Sequence, residues 1–170
     1  EFGVRVRTVP NMEDIITGRA STSDIVDVSA EDLLGRDPVA PVPELMSANI
    51  RGKAVMVTGA GGSIGSELCR QILRESPRDL VLFEHSEPAL YAIQMELLAQ
   101  RMALSSPTRI HAVLGSVQSP RRLRDTMTGH RIDTVFHAAA YKHVPLVEEN
   151  IAEGMRNNVF GTRTVLETAI

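Results

Sequence analysis

Thr58-Gly59-Ala60-Gly61-Gly62-Ser63-Ile64-Gly65 lies between a short apolar run and a helical pattern, with glycines at 59, 62 and 65 spaced G-x-x-G-x-x-G. Each of the three has its own use. Gly59 permits a sharp turn out of a strand, Gly62 lets backbone approach a pyrophosphate, and Gly65 lets the next helix pack closely on a sheet. That helix, with Ser63 and Ile64 in its first turn, offers free N–H groups and a positive dipole end to phosphates. A glycine-rich turn between strand and helix, at the head of an α/β array, is the setting a dinucleotide site requires. Glu84, 19 positions beyond Gly65, ends the next apolar run, where a carboxylate accepts hydrogen bonds from the adenosine ribose. An anion there repels a 2′-phosphate, which points to NAD. His85 and Ser86 beside it soften that preference and keep NADP as the alternative. No Gly-Lys-Ser/Thr follows the glycines, which excludes a Walker-type P-loop.

Other reactive residue types are sparse. Lys142 and His143 fall just past the fourth apolar strand, where ligands bind in parallel sheets, and a cation there suits a ribose or a sugar diphosphate. His137 is expected to satisfy a backbone group and Cys69 to pack in the core. His111 and His130 lack metal-ligand spacing, and the basic run 121–124 reads as a solvated helix face. No metal site and no catalytic residue is assigned.

The elements that position these residues follow from periodicity. Residues 54–58, 79–84, 110–114 and 133–138 read as strands. Helical patterns lie between them: Ile64, Leu68 and Ile72 mark the first, 87–104 the second, and Leu123 with Met127 a short third. A fourth runs from about 151 to the end. Four strand–helix alternations require parallel strands with helical crossovers, hence a Rossmann-like, doubly wound α/β fold over 51–170. Residues 1–50 read as an extension and linker: a β-like run at 4–9, an amphipathic stretch around 29–34, and a proline-rich segment at 37–43.

The chain has 170 residues, 43% apolar and 23% charged, with 18 basic against 21 acidic residues, which is a globular composition. Its net charge of −3 gives no pull toward phosphate backbones, so nucleic acid is not an expected partner. One cysteine excludes an internal disulfide framework. No apolar run reaches the roughly 18 residues of a membrane span, and the first residues lack a signal-peptide pattern. The absence of an initial Met and the end inside a helical pattern suggest an excised piece, with the Rossmann-like domain incomplete at its C-terminus.

Several longer motifs carry a family resemblance: residues 59–67 (GAGGSIGSE), 84–87 (EHSE), 137–145 (HAAAYKHVP) and 158–162 (NVFGT). Over 51–170 the chain resembles the CapD-like nucleotide-sugar 4,6-dehydratases, extended short-chain dehydrogenase/reductases of polysaccharide biosynthesis. Residues 31–36 (EDLLGR) are similar to a segment of the membrane-associated branch. The resemblance implies that Gly59, Gly62, Ser63, Ile64 and Gly65 line the pyrophosphate and Glu84 the ribose. Ser116 and Val117 would flank the adenine, with Ser116 replacing the family's Asp. Ala138, Ala139 and Ala140 would lie along the cofactor near Lys142, and Asn158 would support them from the fourth helix.

The implied reaction is carried by NAD and acts on a UDP-linked N-acetylhexosamine. The sugar loses hydride from C4, then water across C5–C6, and regains hydride at C6 as a 4-keto-6-deoxy product. The family's Ser/Thr and Tyr/Met-x-x-x-Lys residues lie beyond position 170. Tyr141 cannot substitute, because position 145 is Pro, nor can Tyr91, which is followed by Met95. The fragment alone is therefore expected to be inactive. A 4-epimerase or 4-ketoreductase on the same scaffold, or a non-catalytic nucleotide-binding module, is the alternative. The expected setting is a cytoplasmic homo-oligomer, with the longer protein anchored at the cytoplasmic face of the inner membrane.

Overall fold

The computed structural model describes residues 7, 8, 16, 17, 21, 26, 27 and 42–170. The chain divides into two compact units, 1–41 and 42–170. In the first, β1 (Arg7–Thr8) pairs antiparallel with β2 (Val26–Asp27), Arg7 opposite Asp27. The rest of the strand expected at 4–9, the amphipathic stretch at 29–34 and most of the proline-rich segment lie outside the described residues.

The second unit begins with α1 (Pro43–Ala48). The last proline of the expected linker opens this helix instead of extending the chain. At the first helical position its missing N–H costs nothing. There follow β3 (Ala54–Thr58), α2 (Ser63–Arg74), β4 (Asp79–Glu84), α3 (Glu87–Ala103), β5 (Arg109–Leu114), α4 (Pro120–His130) and β6 (Thr134–His137). The chain ends with α5 (Val144–Glu149), α6 (Ile151–Met155), a π-helical turn (Arg156–Gly161) and α7 (Thr162–Ala169).

The four strands form a parallel sheet in the order β5-β4-β3-β6. The two central strands are buried along their whole length, which is why 54–57 and 80–83 are unbroken apolar runs. Strand alternation then divides the core. Val55, Val57, Leu80 and Leu82 face α2 and α3, meeting Cys69, Ile72, Leu73, Leu90, Ile93 and Leu97. Met56, Val81 and Phe83 face the other way, toward Leu123 and Met127 of α4 and Val165 of α7. Helices thus cover both faces, as doubly wound sheets require.

Two elements differ from the sequence reading. On α2 the buried stripe is Gly65, Cys69, Ile72 and Leu73, while Ile64 is 67% exposed. Ile64 stands in the first turn, at the mouth of a cavity and beyond the edge of the sheet. The helix expected from about 151 to the end runs over 151–169, but it carries a π-helical turn between α6 and α7, and α5 precedes it. Period counting does not register one extra residue in a turn, so a π-helix is invisible to it.

At the opposite edge of the sheet from its C-terminal ends, Asp79 joins β4 to β5. Its buried carboxylate accepts from Arg109 Nε and NH2 at 2.8 and 2.9 Å, lies 2.9 Å from His111 Nε2, and accepts from Arg78 Nε at 3.0 Å. Arg109 first, then His111 and Arg78, hold the carboxyl well below the usual carboxylate range against the opposing effect of burial. A depressed pKa stabilises the fold above the unfolded value and ceases to do so as pH falls through the folded one. Asp79→Asn is therefore expected to lower the urea midpoint at neutral pH. The gap to wild type should begin to narrow below about pH 4, where the carboxyl of the unfolded wild type takes up a proton, and should close only as pH falls through the lower folded value. A gap unchanged down to acid pH would contradict this origin of the stability.

Candidate functional site

After β3 the chain winds outward to β4 and β5, then returns across β3 to form β6. The winding direction reverses between β3 and β6, and ligands of open α/β sheets sit at the C-terminal ends of such a pair. Both strand ends here are followed by small residues: the glycine turn after β3 and Ala138–Ala140 after β6.

The glycine turn is built by steric limits that can be read one residue at a time. Gly59 has φ +65°, and a Cβ on it would stand 2.8 Å from the carbonyl of Ala138 and the Cα of Ala139. A Cβ on Gly65 would lie 1.9 Å from the Gly59 oxygen, so α2 can start where it does only with glycine at this position. Gly62 is roomier, at 3.3 Å from that oxygen, and caps α2 without a side-chain hydrogen bond. The first-turn N–H groups of a helix have no intrahelical acceptor, so this end is open to an anion. Gly61 was not singled out by the spacing, yet its Cβ would stand 2.6 Å from the Cβ of Ala89 on α3. Only the neighbouring helix reveals that constraint.

Glu84 ends β4 only 5% exposed. Its Oε2 accepts the Gly61 N–H at 3.0 Å, and its Oε1 accepts the N–H groups of His85 and Ser86 at 2.8 and 2.9 Å. Of the roughly four acceptor positions on a carboxylate, the protein's own backbone occupies three, leaving one on Oε2. Glu84, His85 and Ser86 border a hollow of about 230 Å³ with Gly59, Gly62 and Ala138–Ala140.

A narrow recess of about 10 Å³ continues past Gly59 to Gly115, Ser116, Val117 and Ala139. Ser116 Oγ accepts the Gln118 N–H at 3.2 Å. Val117 is buried against Gly161, whose Cβ would come within 2.8 Å of it. Beyond the edge formed by Ala138 and Ala140 opens a cavity of about 710 Å³, bordered by Gly62, Ser63, Ile64, Lys142, His143 and Glu153 among others. Lys142 forms no ion pair among the described residues.

Two predicted residues stand behind this cleft. Gly65 is buried under the turn. Asn158 clamps the loop after β6: its Oδ1 accepts the Tyr141 N–H at 2.8 Å and its Nδ2 donates to the Tyr141 carbonyl at 2.9 Å. Its neighbour Asn157, buried and not anticipated, is the asparagine that borders the cleft. Burial, then Glu153, pushes the Tyr141 phenol above its ordinary value, so it stays protonated. The ring nitrogens of His137 do not reach backbone groups, as the sequence suggested, but the hydroxyls of Thr58 and Thr162. The remaining predicted residues converge on one set of hollows that share Gly59, Gly62, Ala138 and Ala139.

Residues 55–170 match the family described as polysaccharide biosynthesis protein. The capsular polysaccharide biosynthesis protein CapD of Staphylococcus aureus is 41% identical over 98% of this chain. The probable polysaccharide biosynthesis protein EpsC of Bacillus subtilis (strain 168) is 40% identical over 98% of it. The chain spans 27% of the length of each. An uncharacterized membrane protein of Methanocaldococcus jannaschii is 35% identical over 71% of this chain and 33% of its own. Among solved structures, a UDP-glucose-4-epimerase from Stenotrophomonas maltophila with bound NAD superposes with a TM-score of 0.57 at 22% identity, over 68% of this chain and 33% of that one. A short-chain type dehydrogenase/reductase from Mycobacterium ulcerans gives 0.60 at 17% identity, over 71% and 46%. The fold is the Rossmann-like one of short-chain dehydrogenase/reductases.

Proposed function

The chain belongs to the polysaccharide biosynthesis protein family, and we propose that it forms the dinucleotide-binding part of an NAD-dependent UDP-sugar 4,6-dehydratase. The observation that carries the proposal is the open N-terminus of α2 beside the Gly59 turn, at the reversal point of the sheet. Glycine at 59 and 65 lets the turn close against Ala138 and lets α2 begin directly beneath it, and the helix end supplies donors and positive potential to a pyrophosphate.

On this reading the Ser63 and Ile64 amides hold the pyrophosphate, and the remaining Oε2 position of Glu84 accepts from the adenosine ribose. Ser116 and Val117 bound the adenine. Ala138–Ala140 form the ledge along which the cofactor runs, and Lys142 faces the hydroxyls of the nicotinamide ribose or the sugar diphosphate. NAD, when bound, supplies reversible hydride transfer; the protein orients it and keeps the sugar against it. The 710 Å³ cavity bordered by Lys142 is where the sugar nucleotide sits. Proton-transfer residues come from the part of the longer protein that follows this chain. That protein is proposed to be a homo-oligomer at the cytoplasmic face of a membrane. The membrane-protein name of one relative and the 31–36 segment support that placement. Among the described residues no helix is long and apolar enough to cross a bilayer.

The test has two parts. Calorimetry on the chain is expected to show NAD binding, with NADP weaker because of Glu84. The longer protein, given a UDP-N-acetylhexosamine, is expected to release a 4-keto-6-deoxy sugar, while this chain alone releases none. A product that keeps its C6 hydroxyl and is only inverted at C4 would replace the dehydratase with a 4-epimerase. Turnover by the chain alone would refute the assignment of catalysis to the missing part.

A further inference from the structure

His137 ends β6 with Nδ1 2.6 Å from Thr58 Oγ1 and Nε2 2.9 Å from Thr162 Oγ1. What each hydroxyl does on its other side fixes the direction of both bonds. Thr162 donates its hydroxyl hydrogen to the Asn158 carbonyl at 2.7 Å. The Thr162 N–H goes to the Val159 oxygen. Thr162 Oγ1 then has only lone pairs to offer His137, so Nε2 carries the hydrogen. At the other end the Ala138 N–H is shared between the Thr58 carbonyl at 3.1 Å and Thr58 Oγ1 at 3.3 Å, and with the hydrogen on Nε2 a neutral ring leaves Nδ1 as an acceptor, to which the Thr58 hydroxyl donates. Only the neutral Nε2–H tautomer satisfies every partner.

The ends of this chain of bonds matter. Thr58 immediately precedes the Gly59 turn. Asn158, which receives the last hydrogen, holds both backbone groups of Tyr141, next to Lys142. We propose that His137, locked as the neutral Nε2–H tautomer, is a positioning residue that ties the glycine turn to the loop carrying Lys142 and so fixes the spacing of the two cleft walls. What the cleft binds rests on the reading above; the hydrogen-bond chain does not.

Protonation would place an N–H against Thr58 Oγ1 and leave that hydroxyl's hydrogen without an acceptor, at a residue that is fully buried. Burial, without any charged neighbour, depresses the imidazole below its ordinary value. The titratable groups on surrounding elements are Tyr141, Lys142, His143 and Glu153 around the larger cavity, and Arg131 and Asp133 before β6. None of them is hydrogen-bonded to the ring among the described residues.

The experiment uses the chain without any dinucleotide. Nitrogen-15 NMR of the imidazoles is expected to show His137 as the Nε2–H tautomer at neutral pH, with its protonation midpoint below that of an ordinary imidazole. Thr162→Val should speed hydrogen exchange of the Tyr141 amide about tenfold, and Thr162→Ser, which keeps the hydroxyl, should restore it. An Nδ1–H tautomer, a midpoint at or above that of an ordinary imidazole, or unchanged Tyr141 exchange in Thr162→Val would overturn the proposal. The tautomer is read on the unmodified chain, so it decides even if a variant fails to fold. Because no readout involves NAD, these results stand or fall separately from the cofactor assignment.

Discussion

Gly65→Ala is expected to lower the stability of the chain by about 3 kcal/mol or more, and to abolish dinucleotide binding, whereas Gly62→Ala lowers stability by less than about 1 kcal/mol. The contrast comes from what each new methyl would meet. At 65 it would be placed 1.9 Å from the Gly59 oxygen and 2.7 Å from its carbonyl carbon, inside a backbone turn that has no side chain to move aside. Either α2 shifts away from the sheet or the Gly59 turn opens, and each also displaces the phosphate-facing amides. At 62 the nearest atom is 3.3 Å away and φ is −73°, a conformation any residue adopts, so a few tenths of an ångström of relaxation suffice. Urea unfolding of both variants, with NAD titration of each, measures the difference. Similar losses at the two positions would show that the turn is not held by the contact at 65.

Glu84→Ala is expected to destabilise the chain by about 3 kcal/mol, with Glu84→Gln in between, before any ligand is added. Alanine leaves the N–H groups of Gly61, His85 and Ser86 without their acceptor in a site that is 5% exposed. Glutamine keeps one oxygen but puts an NH₂ against one end of that set, donor against donor. A carboxylate whose only task is to meet a ribose would behave differently: both substitutions would weaken NAD binding and leave the urea midpoint in place. Measuring stability without ligand and affinity with it separates the two roles. The geometry predicts that both fall, because the same group shapes the glycine turn and borders the cleft.

These two residues also show how much of the site could be read in advance. Gly59 and Gly65 were recognisable because a strand-to-helix turn over phosphates leaves no room for a Cβ, and that restriction is local in sequence. Gly61 carries no such local signal, because its constraint is Ala89, on another helix. Glu84 was visible as an acid at a strand end, but its three backbone partners depend on how the turn folds back over β4. Asn158 was placed as a support, and its two bonds to Tyr141 give that support a form. The neighbouring Asn157 carried no local signal, since which of two adjacent asparagines faces the cleft depends on the phase of a π-helical turn.

The sequence by itself determined the alternation of strands and helices, the two fully buried strands, and the position of the glycine turn, because hydrophobic periodicity and backbone permissiveness act over a few residues. The strand order β5-β4-β3-β6 brought Ala138 against Gly59 and thereby made a cleft out of two distant turns. The bonds that join Thr58, His137 and Thr162 across that cleft's base span 79 and 25 residues. No local pattern encodes contacts at that range. They exist only once packing has decided which strand ends lie side by side.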